Sequence, residues 1–298
     1  MKKKRLLAIL LSLFLLVGVV TAVSAMAAKV PAPTQLKYNV QVEKNAKATL
    51  DYSNLSEGIL FLTYTGGNPV KIKVQIAKSG GTTYTYSLNN TGFSESFPLV
   101  EGNGAYTIRV FENTTGTKYA TVFSYTLNLK LRDATLPFLY SNQYVAYNPN
   151  SAAVVKANEL CAGQKSELDK VHVIYDFVVG TLTYDKQRAA TVQSGYLPNL
   201  DQVMQSKKGI CFDYASLMTA MLRSQNVPCK LIIGYAGTAY HAWINVYTAE
   251  QGWIEAVVYF DGQNWSRMDP TFASSSHSNP EIMKYIGNGS NYTQKYAY

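Results

Sequence analysis

The chain has 298 residues, a formal net charge of +8, 15% charged and 47% hydrophobic residues, and three cysteines. Four basic residues, Lys2, Lys3, Lys4 and Arg5, sit at the very start, so only about +4 is left for the rest, with no dense Lys/Arg cluster. Nucleic-acid binding therefore finds little support, and three cysteines are too few for a disulfide scaffold.

After Arg5 the run 6–28 is uncharged and dense in Leu, Ile, Phe and Val as far as Val20. It exits through Val23-Ser24-Ala25 and Ala25-Met26-Ala27. A basic start, an apolar stretch and an Ala-x-Ala-like exit describe a secretory signal peptide over residues 1–27, cut after Ala25 or Ala27. The alternative is a retained anchor, because an uncharged run of this length can span a bilayer. The expected location is secreted or cell-surface associated. A mildly basic exported chain also tends to linger on acidic envelope components.

The part left after cleavage, about 270 residues, is enough for two domains with real cores. From Leu36 to Leu131 it reads as strands. Leu36, Tyr38, Val40 and Val42 alternate with polar neighbours, as do Val70, Ile72, Val74 and Ile76, and the odd positions from Tyr119 to Leu131. Gly66-Gly67, Gly80-Gly81 and the tract from Asn113 to Gly116 supply turns. Six or more short antiparallel strands over residues 28–132 predict an all-β sandwich of immunoglobulin-like size. Nothing in it looks catalytic. It reads as a spacer or docking module, with its tyrosines packed on the sheet surface.

Residues 133–150 break the pattern, with Pro137, Pro149 and scattered aromatics, and predict an extended linker lying across the second domain. A helix follows with Ser151 as N-cap, then a second from Ser166, with Asp169 as capping-box partner. The apolar stripe of that second helix is Leu168, Val171, Ile174, Tyr175, Val178 and Val179. Leu182-Thr183-Tyr184-Asp185 closes the unit.

Next comes Lys208-Gly209-Ile210-Cys211-Phe212-Asp213-Tyr214. Gly209 permits a tight turn into a helix beginning near Cys211, with a buried stripe of Leu217, Met218, Met221 and Leu222. A helix N-terminus favours a thiolate, and its free N–H groups can hold an oxyanion, Cys211 N–H first. After a strand over residues 230–235, His241 opens another, with Ala242, Ile244 and Val246 on one face and His241, Trp243, Asn245 and Tyr247 on the other. His172 and His277 fit no such pattern, so His241 is the general base and acid. Asp269 ends a strand led by Trp265 and can fix the tautomer of the imidazole. Taken singly, these are a packing cysteine, a structural histidine and an Asp-Pro turn. Together they lay out a cysteine acyl-transfer triad. Asp185 and Asp213 read as structural or substrate-facing.

The run Gly209-Ile210-Cys211, His241-Ala242-Trp243 and Asp269-Pro270, in this order, resembles the transglutaminase-like family of the papain-like cysteine enzymes, over roughly residues 133–298. The resemblance implies an α+β papain-like core behind the sandwich, and a protein or peptide substrate. Animal transglutaminases place a Trp upstream of the cysteine as second oxyanion donor, and this chain has no Trp before Trp243. Tyr184 is one candidate for that role. Gln205, by analogy with papain-type enzymes, is another. No cofactor or metal signature is visible in the sequence.

The expected activity is cleavage or transfer of acyl groups of peptide or glutamine amides through an acyl-enzyme. Crosslinking and hydrolysis stay open, since both follow from the same triad. The alternative is a non-catalytic surface binding or adhesion protein using the same fold. Cys161 and Cys229 either bridge or pack as small apolar residues.

Overall fold

Alternating apolar and polar residues build the first half of the computed structural model, which describes residues 40–255, the backbone of 258–260 and 265–267, and residues 292–298. Eight strands form two four-stranded antiparallel sheets. The first contains β1 (Val42–Lys44), β2 (Ala48–Asp51), β3 (Ile59–Tyr64) and, beyond β4 (Ile72–Lys78) and β5 (Thr83–Leu88) in the chain, β6 (Glu95–Pro98). The second contains β4, β5, β7 (Gly104–Thr115) and β8 (Lys118–Leu129). The strand orders are β1-β2-β3-β6 and β5-β4-β7-β8.

In β4 and β5 every second side chain is buried: Ile72, Val74 and Ile76, then Tyr84, Tyr86 and Leu88. Gly67, Gly80 and Gly116 take positive φ in the predicted turns, where a side chain would be strained. Two expectations need correction. Tyr64, Tyr84, Tyr86 and Tyr106 lie in the core rather than on the sheet surface; the hydroxyls of Tyr64, Tyr84 and Tyr106 reach Glu112, Glu101 and Gly102 O at its rim, while Tyr86 packs edge-on against Phe97. Val40 and Val42 are exposed, because β1 is a three-residue edge strand; Leu36 and Tyr38 lie outside the described residues.

Residues 133–150 are tied to both halves rather than laid across the second. Arg132 and the Tyr140 hydroxyl both reach the Glu57 carboxylate, and the Ser96 hydroxyl donates to Ser141 O. The Tyr140 carbonyl accepts from Arg223 on the far side.

The second half is mixed. It begins with α1 (Ala152–Leu160) and α2 (Glu167–Thr181), whose caps are Ser151 and Ser166. At Ser166 the hydroxyl accepts from Asp169 N–H, and Asp169 accepts from Ser166 N–H, a complete capping box. Then come β9 (Thr183–Tyr184), α3 (Lys186–Thr191), α4 (Leu200–Ser206), β10 (Lys208–Gly209) and α5 (Cys211–Ser224). The strands β11 (Cys229–Ala236), β12 (Ala239–Thr248), β13 (Gly252–Ile254) and β16 (Tyr292–Ala297) form a sheet of order β13-β12-β11-β16. The short strands β14 (Val258–Phe260) and β15 (Trp265–Arg267) pair with each other.

Helix α5 packs against α1, α2, α4, β11 and β12, so every residue from Asp213 to Ser224 is buried, not only the predicted stripe. Among them Arg223 is fully buried. Its guanidinium donates to Cys229 O twice, to Tyr140 O and to Tyr298 O. One side chain thus joins the connecting segment, the central sheet and the last strand to α5. Cys161, Cys211 and Cys229 are free thiols, and Cys229 packs against the Thr219 hydroxyl. Among the described residues no helix is long and apolar enough to cross a membrane.

Candidate active site

Cys211 is the first residue of α5, half-buried, and so at the end of the helix where backbone N–H groups have no intrahelical acceptor. Asp213, two residues on, folds back to accept the Ile210 N–H at 2.8 Å through Oδ2. That return explains Gly209, though not as expected. Its φ is not positive; the left-handed residue of this turn is Lys207, at φ 54°. A Cβ on Gly209 would instead sit 2.6 Å from Asp213 Cβ, so glycine makes room for the carboxylate.

The other Asp213 oxygen accepts the Tyr196 hydroxyl at 2.6 Å, and Arg188 stands 3.6 Å from Oδ2 and 3.2 Å from the Tyr196 oxygen. Burial pushes the Asp213 carboxyl up from the ordinary Asp value, against these hydrogen bonds and the Arg188 charge, which pull it down. Asp185 caps α3 by accepting Arg188 N–H. Both aspartates are therefore structural: they brace the helix start and the loop that carries Tyr196.

His241 is the third residue of β12 and is buried, its ring 6.3 Å from that of Trp243 and 6.4 Å from that of Tyr292. It stands opposite Gly234 of β11. A Cβ at Gly234 would come within 2.1 Å of Thr293 O and 2.8 Å of Trp243 Cη2, so only glycine lets β16 close on this side of the histidine. Cys211 and His241 border one cleft of about 610 Å³, together with Tyr184, Ile210, Phe212, Tyr240 and Ala242.

Tyr184 reaches the cleft because β9 runs parallel to β10, with Tyr184 opposite Gly209, two residues before Cys211. Gln205 does not. It is exposed on the outer side of α4, one residue before the helix ends and the chain reverses at Lys207. His172 lies on the surface of α2, 3.3 Å from Asp176. Asp269 and His277 lie outside the described residues. Among the described residues no group of His, Cys, Asp and Glu is arranged to hold a metal ion.

The cleft has walls that sequence reading did not anticipate. Lys73, Thr85 and Ser87 come from the first half, Gln143 and Tyr144 from the connecting segment, and Tyr296 and Tyr298 from the chain end. Val192 to Leu197, after α3, close another side. The only local signal for them is an exposed Thr85 and Ser87 at alternate positions of a strand, which looks like any solvent face.

Residues 155–270 match the profile of a family described as the transglutaminase-like superfamily. The chain carries a transglutaminase-like domain. Its mixed α/β core, α5 against β11 and β12, is the part that holds both Cys211 and His241. In sequence, the chain is 25% identical over 148 residues to YebA, an uncharacterized protein of Bacillus subtilis strain 168, covering 42% of this chain and 20% of YebA. It thus spans about a fifth of that relative's length. Among solved structures it overlaps a candidate cysteine protease of Cytophaga hutchinsonii (15% identity, 87% of this chain and 74% of that one, TM-score 0.41). It also overlaps the periplasmic domain of TgpA from Pseudomonas aeruginosa (13% identity, 73% and 94%, TM-score 0.34) and red sea bream transglutaminase (11%, 77% and 53%, TM-score 0.28).

Proposed function

We propose that this chain is an exported cysteine enzyme that cleaves or transfers acyl groups of peptide or glutamine amides. The observation that carries the reading is the shared cleft: a thiol at the first residue of a buried helix and an imidazole on the adjacent sheet border the same space. Family membership and the helix N-terminus, which favours an anionic sulfur, support it.

In this reading the Cys211 thiolate attacks the amide carbonyl, forming a carbon–sulfur bond. The carbonyl electrons move to oxygen, to which Cys211 N–H donates one hydrogen bond and Tyr184 the second. The His241 imidazolium gives its proton to the leaving amine as the carbon–nitrogen bond breaks. A thioester remains. Water or a second amine then attacks it, His241 removes the proton of the attacking group, and the thiolate departs. Asp269 completes the triad by holding the His241 tautomer.

The remaining assignments follow from the same reading. Residues 1–27 are the export signal and 133–298 the catalytic domain, secreted or held at the cell surface. Residues 28–132 form an immunoglobulin-like sandwich. Support for that last point is the strand order, since β2-β3-β6 and β5-β4-β7-β8 repeat the A-B-E and C′-C-F-G neighbours of such domains.

The test is a mass readout on a Gln-containing peptide with and without a primary amine. Crosslinking gives an amine-dependent mass gain and hydrolysis gives fragments or deamidation without amine, both lost in Cys211→Ala. No product over a broad peptide panel would remove the enzymatic reading in favour of a binding protein.

A further inference from the structure

Among the described residues, the edge of β5 is open where it meets the cleft. Just outside the two ends of β4, Lys71 O accepts from Asn113 N–H and Ser79 N–H donates to Ala105 O, both towards β7. Odd-numbered residues of β4 therefore turn their main chain to β7 and even-numbered ones to β5. The β5 partners of Lys73, Gln75 and Ala77 are Ser87, Thr85 and Thr83, so these three point N–H and C=O away from the sheet. Ser87 confirms the phase. Its N–H donates to Gln143 Oε1 at 3.3 Å, and its carbonyl accepts from Gln143 Nε2 at 2.7 Å.

That pair of bonds is the one a residue of an added antiparallel strand would make. The Gln143 amide thus occupies the first position of a ladder. Thr85 and Thr83 are the next two, and among the described residues no strand meets them, since β5 ends its sheet.

The edge also faces the cleft. Thr85 and Ser87, on the open face of β5, line it. So do Tyr144, Tyr296 and Tyr298, which pack on Tyr84 and Tyr86, the opposite face. With both faces represented, the rim between them borders the same space as Cys211. Of the other edges of the two sandwich sheets, β1 is three residues long with Glu43 and Lys44, β6 carries Glu95 and Pro98, and β8, long and charged only at Lys118, contributes no residue to the cleft. β5, Thr83-Tyr84-Thr85-Tyr86-Ser87-Leu88, has neither charge nor proline, as a strand meant to be paired would have.

We propose that the free edge of β5 is a docking strand for an extended polypeptide segment, which pairs with Thr85 and Thr83 and brings its amide into the cleft. The last step rests on the cysteine-enzyme reading; the docking does not. The occupant is an unfolded or extended chain, recognised mainly through its backbone, rather than a small amide.

The experiment uses the whole protein as Cys211→Ala, so that nothing is turned over, and reduced, carboxymethylated casein as an unfolded probe. Casein should slow amide exchange at Thr85 and Thr83. Thr85→Pro should weaken casein binding about tenfold, while Thr85→Val, which keeps the N–H, restores it. Proline suits an edge position whose N–H faces outward, and an unchanged melting temperature verifies the fold. No casein binding, protection elsewhere, or equal binding by Thr85→Pro would overturn the proposal. Alkylation of Cys211, read separately on the parent, separates the two claims. Protection at Thr85 with an ordinary thiol removes the enzyme and leaves the docking strand. An activated thiol without protection does the reverse.

Discussion

The sheet β5-β4-β7-β8 and the sheet β13-β12-β11-β16 solve burial differently. In the first, one face is packed and the other is open, so β5 alternates buried and exposed along its length. In the second, β12 is buried on both faces from His241 to Val246. Ala242, Ile244 and Val246 join the main core beside α5, while Trp243 packs with Ile232, Ala297 and Tyr292 in a second cluster. A strand covered on both sides can hold an imidazole in a fixed place. A strand open on one side and at its edge can meet a partner. The cleft lies where the two kinds of strand come together.

If that contrast is right, substitutions in the closed layer cost far more than those on the open face. The largest effect is expected for Arg223→Met, which strands the carbonyls of Cys229 and Tyr140 and loosens Tyr298. Urea unfolding should show a loss of about 3–5 kcal/mol, against about 0.5 or less for Thr126→Ala on the exposed side of β8. Similar costs for the two would break the comparison.

Gly234→Ala comes next. The collision with Thr293 O is with backbone, so β16 must shift, at about 1–3 kcal/mol. Faster amide exchange along residues 292–297 would locate the damage.

Asp213→Asn sharpens the picture through pH. The Asp213 pKa is raised on folding, chiefly by burial, so the folded chain holds this proton more tightly than the unfolded chain. The resulting stability is complete below the ordinary value of 3.8 and is lost as pH rises through the folded value. Parent stability should therefore carry a downward contribution in that window, and Asp213→Asn should lack it. An identical pH profile in the two proteins would contradict the assignment.

The smallest effect belongs to the outer helices: Ser166→Ala removes one half of the α2 capping box, at about 1 kcal/mol.

What could be read from the sequence was local. Ser166 with Asp169, Ser151, and the helix beginning at Cys211 are fixed by neighbours within a few residues. The burial of Tyr84 and Tyr86 was misread because a period of two says which residues share a face, not which face is covered. Gly209 was assigned to a turn, while its reason lies in the carboxylate of Asp213. Gln205 was placed in the site from its distance to Cys211, but its direction is set by the end of α4. The contribution of Thr85, Ser87 and Gln143 to the cleft depends on how the two halves pack, across more than 100 residues of chain between Ser87 and Cys211, and no local pattern carries that.

The most direct measurement is the rate of Cys211 alkylation by iodoacetamide as a function of pH, followed by peptide mass spectrometry in the parent and in His241→Ala. Cys161 and Cys229 are internal controls, since burial pushes their thiols up to about 11 and about 12. The account predicts that Cys211 is alkylated far faster than Cys161 and Cys229 near neutral pH, and loses that advantage when His241 is removed. A Cys211 rate that follows an ordinary thiol and ignores His241 would contradict it.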